Sequence, residues 1–238
     1  MGSIGRLASA GLPVSDIGMQ SDHNRLVNDA AKSALSPIGC FRMGRSRTWI
    51  SDQRYWVIQI EFQPSGWAKG SYLNIGAAWL WYARKGLPFN VGYRVGDFVA
   101  FENVEQFAPL IAQMAMRAAQ EVLAIKTKFK TFEDVLDYFV HHTAHDGWPV
   151  YHAAVAMGLA GEITASKELF HRLEAWRSNG ADWEQKLKSD SLALAELLEE
   201  PAEFRRAVLR IIGECRALNG LPRDPLCLES IGSSIVAH

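Results

Sequence analysis

Two stretches of strict alternation constrain this chain more than any other feature. From Tyr55 to Phe62 the residues sort by parity, with Trp56, Ile58, Ile60 and Phe62 on one face and Tyr55, Val57, Gln59 and Glu61 on the other. A period of two in β-branched and aromatic residues marks a half-buried antiparallel strand. Pro64-Ser65-Gly66 then turns the chain. From Tyr72 to Tyr82 the alternation resumes, placing Leu73, Ile75, Ala77 and Trp79 inward and Tyr72, Asn74 and Gly76 outward. Further strands over Asn90–Val95 and Phe98–Phe101 complete a sheet. A helix from about Asp22 to Leu35 precedes it, stopped by Pro37 and Gly39. A second helix follows from Pro109, a residue suited to a first helical turn, with Ile111, Met114, Ala118, Val122 and Ile125 as its apolar stripe.

Beyond residue 130 the period changes. Thr131 and Asp134 form an approximate capping box, and helices are expected at about 132–145, 149–159, 163–177, 183–198 and 202–217, punctuated by Gly147, Gly161, Gly180 and Pro201. The stretch from His152 to Trp176 resembles one tetratricopeptide-type helix pair, with no second copy at the repeat's spacing of about 34 residues. Charge changes sign at the same place. Residues 1–130 carry 15 Lys and Arg against 9 Asp and Glu, and residues 131–238 carry 10 against 17. Opposite charges could join two units or face two partners. The expected fold class is therefore α+β. An N-terminal antiparallel sheet of four to five strands flanked by helices (21–130) follows a flexible segment (1–20) and precedes an all-α helical bundle or hairpin array (131–238).

A chain of 238 residues buries roughly 70–75% of its unfolded surface, enough to need no staple of disulfide or metal. No apolar run approaches the ~18 residues of a membrane span. The start, MGSIGRLASAGLPVSD, lacks the apolar core of a secretory signal, and Arg6 stands where a myristoylation motif needs Ser or Thr. Cys40, Cys215 and Cys227 are an odd set without CxxC spacing, which argues against a disulfide framework or zinc knuckle. A cytosolic protein without a cofactor is expected.

The central motifs carry a family likeness. Gly39 to Trp49 (GCFRMGRSRTW), Trp56 to Gln63 (WVIQIEFQ), then Trp67, Lys69-Gly70 and Tyr72 to Gly76 (YLNIG) resemble the bacterial domain-of-unknown-function 4304 family over about residues 22–130. The resemblance implies a small α+β fold and carries over no activity.

The leading candidate site is basic and aromatic: Arg42, Arg45, Arg47, Trp49, Arg54, Trp67, Lys69, Tyr72 and Asn74. Residues 38–100 hold eight basic side chains to three acidic. Arginine forks recognise carboxylate or phosphate in pairs of hydrogen bonds, and interleaved aromatics fill a partner's pockets or stack on bases. Gln59, Glu61 and Gln63 add hydrogen-bonding groups. The competing reading makes the arginines solvated charges on an edge strand and the tryptophans core. With a net charge of −1 and no nucleic-acid motif, an acidic protein partner is favoured over a phosphate-bearing ligand or nucleic acid. An immunity-type or defence-associated role would be compatible.

A second set, Asp137, His141 and His145, repeats every four residues and shares one helical face. A carboxylate with two imidazoles can ligate a metal that activates water for hydrolysis. Against that, histidines at a helix C-terminus are favoured by the dipole alone. No GxSxG elbow, Walker A loop or dinucleotide fingerprint is present.

Overall fold

The computed structural model describes residues 15–142, 147–177 and 180–231. Helix α1 (Ser15–Leu35) leads through a short 3₁₀ turn into strands β1 (Phe41–Arg42), β2 (Thr48–Asp52), β3 (Trp56–Gln63), β4 (Gly70–Trp79), β5 (Val91–Arg94) and β6 (Val99–Ala100). Then come α2 (Val104–Lys128), α3 (Phe132–His142), α4 (Trp148–Ala160), α5 (Ile163–Ala175), α6 (Asp182–Ala195) and α7 (Pro201–Leu218). The fold is α+β, with every sheet pairing antiparallel in the order β1-β2-β3-β4-β5 and β6 added beside the start of β4. Among the described residues no helix is long and apolar enough to cross a membrane.

The alternation sets the register. Trp56 pairs with Trp79, Ile58 with Ala77, Ile60 with Ile75 and Phe62 with Leu73, so one face of β3–β4 is continuously apolar. Helices α1 and α2 pack together, and α2 lies against β3 and β4. Their stripe residues Val27, Ala31, Ile111, Ala118 and Val122 are buried.

Two helix starts differ from the sequence expectation. Helix α1 begins at Ser15 rather than near Asp22. Helix α2 begins five residues before Pro109, because Asn103 caps it by accepting from the Gln106 amide at 2.8 Å while Gln106 Oε1 accepts from the Glu102 amide. Pro109 therefore stands inside the helix, where its missing N–H leaves the Glu105 carbonyl without its usual donor. The helices after residue 130 fall where the period places them, and Thr131 and Asp134 cap α3 reciprocally at 2.7 and 3.2 Å.

The helical half shares one core with the sheet. Trp81 is its junction: the ring stacks on Tyr55 (5.8 Å, 7°) and Trp79 (5.4 Å, 6°). Its backbone carbonyl accepts from Tyr151 Oη at 2.9 Å, and its Nε1–H donates to His152 Nδ1 at 2.9 Å. Tyr151 and His152 lie on α4, which is apolar nearly all round and accordingly buried on every side. Helix α5 folds back on α4 as the expected hairpin, with Ser166 Oγ donating to the Ala154 carbonyl.

At the outer face, Arg216 of α7 crosses to the β2–β3 turn. Only 2% exposed, it forks onto Asp52 (3.0 and 2.5 Å) and also donates to the Arg54 and Pro222 carbonyls. Removing one member of such a pair strands the other. Arg216→Met should cost about 3 kcal/mol in urea denaturation, and adding Asp52→Asn should cost no more.

Burial without a countercharge lowers the pKa of His152 from the ordinary 6.5 to about 3. A depressed histidine is protonated in the unfolded chain before the folded one. Its contribution is complete above pH 6.5 and declines as pH falls towards 3. From pH 7.5 to 5 the denaturation free energy should drop by about 2 kcal/mol, at about 1.4 kcal/mol per unit below 6.5. His152→Gln, which keeps an acceptor for Trp81, should make that slope shallower, leaving the part due to His23, whose pKa is also lowered. An unchanged slope would assign it to other groups.

Candidate functional site

Register decides which candidates meet. Thr48 lies opposite Glu61 and Gln63 opposite Tyr72, so the β1–β2 turn (43–47) and the β3–β4 turn (64–69) share one end of the sheet. Arg42, Arg45, Arg47, Trp67, Lys69, Tyr72 and Asn74 all belong to that end. Arg54 belongs to the other, in the β2–β3 turn, and Trp49 belongs to the interior.

The groove of this turn end has a volume of about 470 Å³ and is lined by His23, Asn24, Arg47 and residues 64–70. Arg47 frames it. Its Nε and one terminal nitrogen donate to Asn24 Oδ1 at 3.2 and 2.5 Å, and that same nitrogen lies 3.1 Å from His23 Nδ1. His23 Nε2 lies 3.1 Å from the Gly70 carbonyl, which can only accept. The proton therefore sits on Nε2 and Nδ1 takes the bond from Arg47. Burial, then the Arg47 charge, lowers the His23 pKa. Helix α1 is thus latched to both the β1–β2 turn and the start of β4 through a neutral imidazole. Sequence reading missed His23 and Asn24, which follow Asp22 at the expected start of a helix and show no motif.

Trp67 at the tip of the β3–β4 turn is 99% exposed. Its amide is held by Ser65 Oγ at 3.1 Å, so the turn is shaped while the indole is left in water. Large aromatics bury readily, and one wholly outside the core is informative where a single surface leucine would not be. Arg45 is exposed in the neighbouring turn. Arg42 is committed to that turn itself, donating to the Ser46 and Arg45 carbonyls at 2.6 and 2.7 Å.

Tyr72 and Asn74 face outward beside the tip. Asn74 Nδ2 donates to Glu61 Oε2 (3.1 Å) and Gln63 Oε1 (2.9 Å), and its Oδ1 accepts from Arg94 Nε (3.2 Å). Arg94 also donates to Gln63 and lies 4.0 Å over the Tyr72 ring. Arg94 was not singled out in the sequence, because its pairing with Asn74 depends on β5 register. Gly76, last of the YLNIG motif, has a packing reason: a Cβ there would meet the Val91 carbonyl oxygen at 2.4 Å and the Phe89 ring at 2.9 Å.

Two candidates serve the fold instead of a partner. Trp49 is 4% exposed, because β2 has a second buried face that its short, mixed pattern conceals. Arg54 sits at φ +74°, held by an Asp52 Oδ1 bond to its amide, and forks onto Asp224 at 2.9 and 3.2 Å while donating to the Leu226 carbonyl. It fastens the C-terminal segment across the outer face.

Asp137 and His141 lie exposed on α3, with His141 Nδ1 donating to the Asp137 carbonyl at 2.9 Å and 3.3 Å from Asp137 Oδ1. His142 bonds the Tyr138 carbonyl in the same way, so both imidazoles cap the helix end. His145 lies outside the described residues, and among the described residues no group of three or more His, Cys, Asp or Glu is placed to hold a metal ion. All three cysteines are buried free thiols whose pKa values burial pushes up, that of Cys227 to about 11. None is an activated nucleophile. Comparison with protein-family models, curated proteins and solved structures gave no match for this chain.

Proposed function

We propose that this chain is a non-catalytic binding protein that engages an acidic protein surface through the turn end of its sheet. The observation supporting this is Trp67, an indole left wholly in solvent on a short turn whose base at Gly70 is latched by His23 Nε2–H, the imidazole being held in turn by Arg47. A preformed aromatic anchor loses little freedom on docking, and tryptophan beside arginine is the commonest composition of an interface hot spot. Arg45, Arg47 and Lys69 surround it with positive charge. That charge favours a carboxylate-bearing partner and speeds its encounter. A cytosolic setting, an immunity-type or defence-associated role and kinship with the 4304 family belong to the same proposal and add no activity to it.

The test is capture from nuclease-treated lysate of the native host, with Trp67→Ala and Arg45→Glu as variants that spare the structural Arg47. Wild type should retain one acidic protein, and Trp67→Ala should weaken its affinity about thirtyfold, the scale of a hot-spot residue. The variants' melting temperatures should match wild type, since neither side chain carries packing. Equal capture by wild type and Trp67→Ala would overturn the reading.

A further inference from the structure

At the opposite end of β4 from Trp67, a chamber of about 250 Å³ opens between the segment 84–91, α3 and α4. Its walls are aromatic and apolar: Trp79, Tyr138, Phe139, Trp148, Leu87 and Phe89. Two rings that line it carry buried nitrogens with no hydrogen-bond partner, Trp79 Nε1 and His152 Nε2. Buried polar groups in native proteins are nearly always paired, so two such exceptions at one chamber call for an acceptor that the chain does not supply.

Both orphans are donors. An indole N–H can only donate. His152 Nδ1 accepts from Trp81 Nε1–H, so the neutral ring carries its proton on Nε2, and burial keeps it neutral with a pKa of about 3. On the lining, Asn90 Oδ1 already accepts from the Trp79 amide at 2.9 Å. Among the described residues no Asp or Glu lines the chamber, while His142 does, and Arg84, exposed at the rim, places its guanidinium 5.9 Å from the centre of the Trp148 ring. Aromatic walls, two unpaired donors on the lining rings and a cation at the mouth select one ligand chemistry. A cavity of about 150 Å³ suffices for benzene, so this one accommodates a ring with an acid side arm.

We propose that this chamber binds a small aromatic carboxylate, whose oxygens accept from Trp79 Nε1–H and His152 Nε2–H and whose charge is balanced by Arg84. The site is independent of the Trp67 surface, and either can exist without the other.

The probe is para-fluorophenylacetate, titrated into the full chain and followed by fluorine NMR, with para-fluorophenylacetamide as its uncharged counterpart. The acid should bind saturably and about tenfold more tightly than the amide. On binding, the Trp79 indole N–H and the His152 Nε2–H should move downfield in proton–nitrogen spectra, with Trp79→Phe fixing the assignment. Arg84→Gln, a change at an exposed side chain, should lower the acid's affinity about tenfold while the amide's stays the same. No saturation of either probe by about 5 mM, a free energy of binding weaker than about 3 kcal/mol, would overturn the proposal. So would equal affinity for acid and amide, or shifts confined to residues away from the chamber.

Discussion

Trp81 is the residue on which the two halves of this molecule turn. It lies two residues past the end of β4, has no solvent exposure, and ties the sheet to α4 by three separate means. Its ring stacks between Tyr55 and Trp79, its carbonyl accepts from Tyr151, and its indole N–H donates to His152. Stacked aromatic pairs contribute about 0.5–1.5 kcal/mol each beyond the area they bury. The hydrogen bonds matter for a different reason: the buried carbonyl and indole N–H of Trp81 both find their partners on α4. A helix of the second half is thereby built into the end of the sheet, and neither half closes its core without the other.

Charge asymmetry is a poorer guide to that union than the aromatics are. The first half is basic and the second acidic, and Arg54 with Asp224 pairs in the direction this suggests. The more buried bridge runs the other way, from Arg216 in the acidic half to Asp52 in the basic half. Fully enclosed side chains are chosen by the hydrogen bonds they complete, and net charge acts mainly on what stays in water. Part of the positive charge of the first half, Arg47 and Lys69, stands at its far end beside Trp67, whose ring is 99% exposed.

How much of this was legible follows from how local each signal is. The pairing of β3 with β4, the inward set of Leu73, Ile75, Ala77 and Trp79, and the helices after residue 130 could all be read from period and punctuation, which need only neighbours in sequence. The start of α2 was also written locally, in Asn103 and Gln106, but Pro109 offered a competing signal. Trp49 and Arg54 misled because their roles depend on elements far along the chain. Arg54 looks like a free cation until Asp224, 170 residues on, is placed beside it. Arg47 is the intermediate case. It does stand at the groove, but its hydrogen bonds go to α1, which no spacing rule could connect with a turn more than twenty residues later.

The same non-local logic explains how one histidine gives the fold two properties. Because Trp81 donates to Nδ1, His152 must keep its proton on Nε2. Because the ring is enclosed among aromatics with no carboxylate among the described residues of the chamber lining, protonating it is opposed by burial. The result is a neutral donor fixed in orientation and left without an acceptor. A second donor, Trp79 Nε1, is left in the same condition by the stack that places it next to Trp81. Each such group costs stability, and Trp49 Nε1 and Asn28 Oδ1 are two others, off this chamber's lining. Two of them on rings that line one chamber are a consequence of how the sheet end was joined to α4, and they set the polarity of anything that chamber can accept.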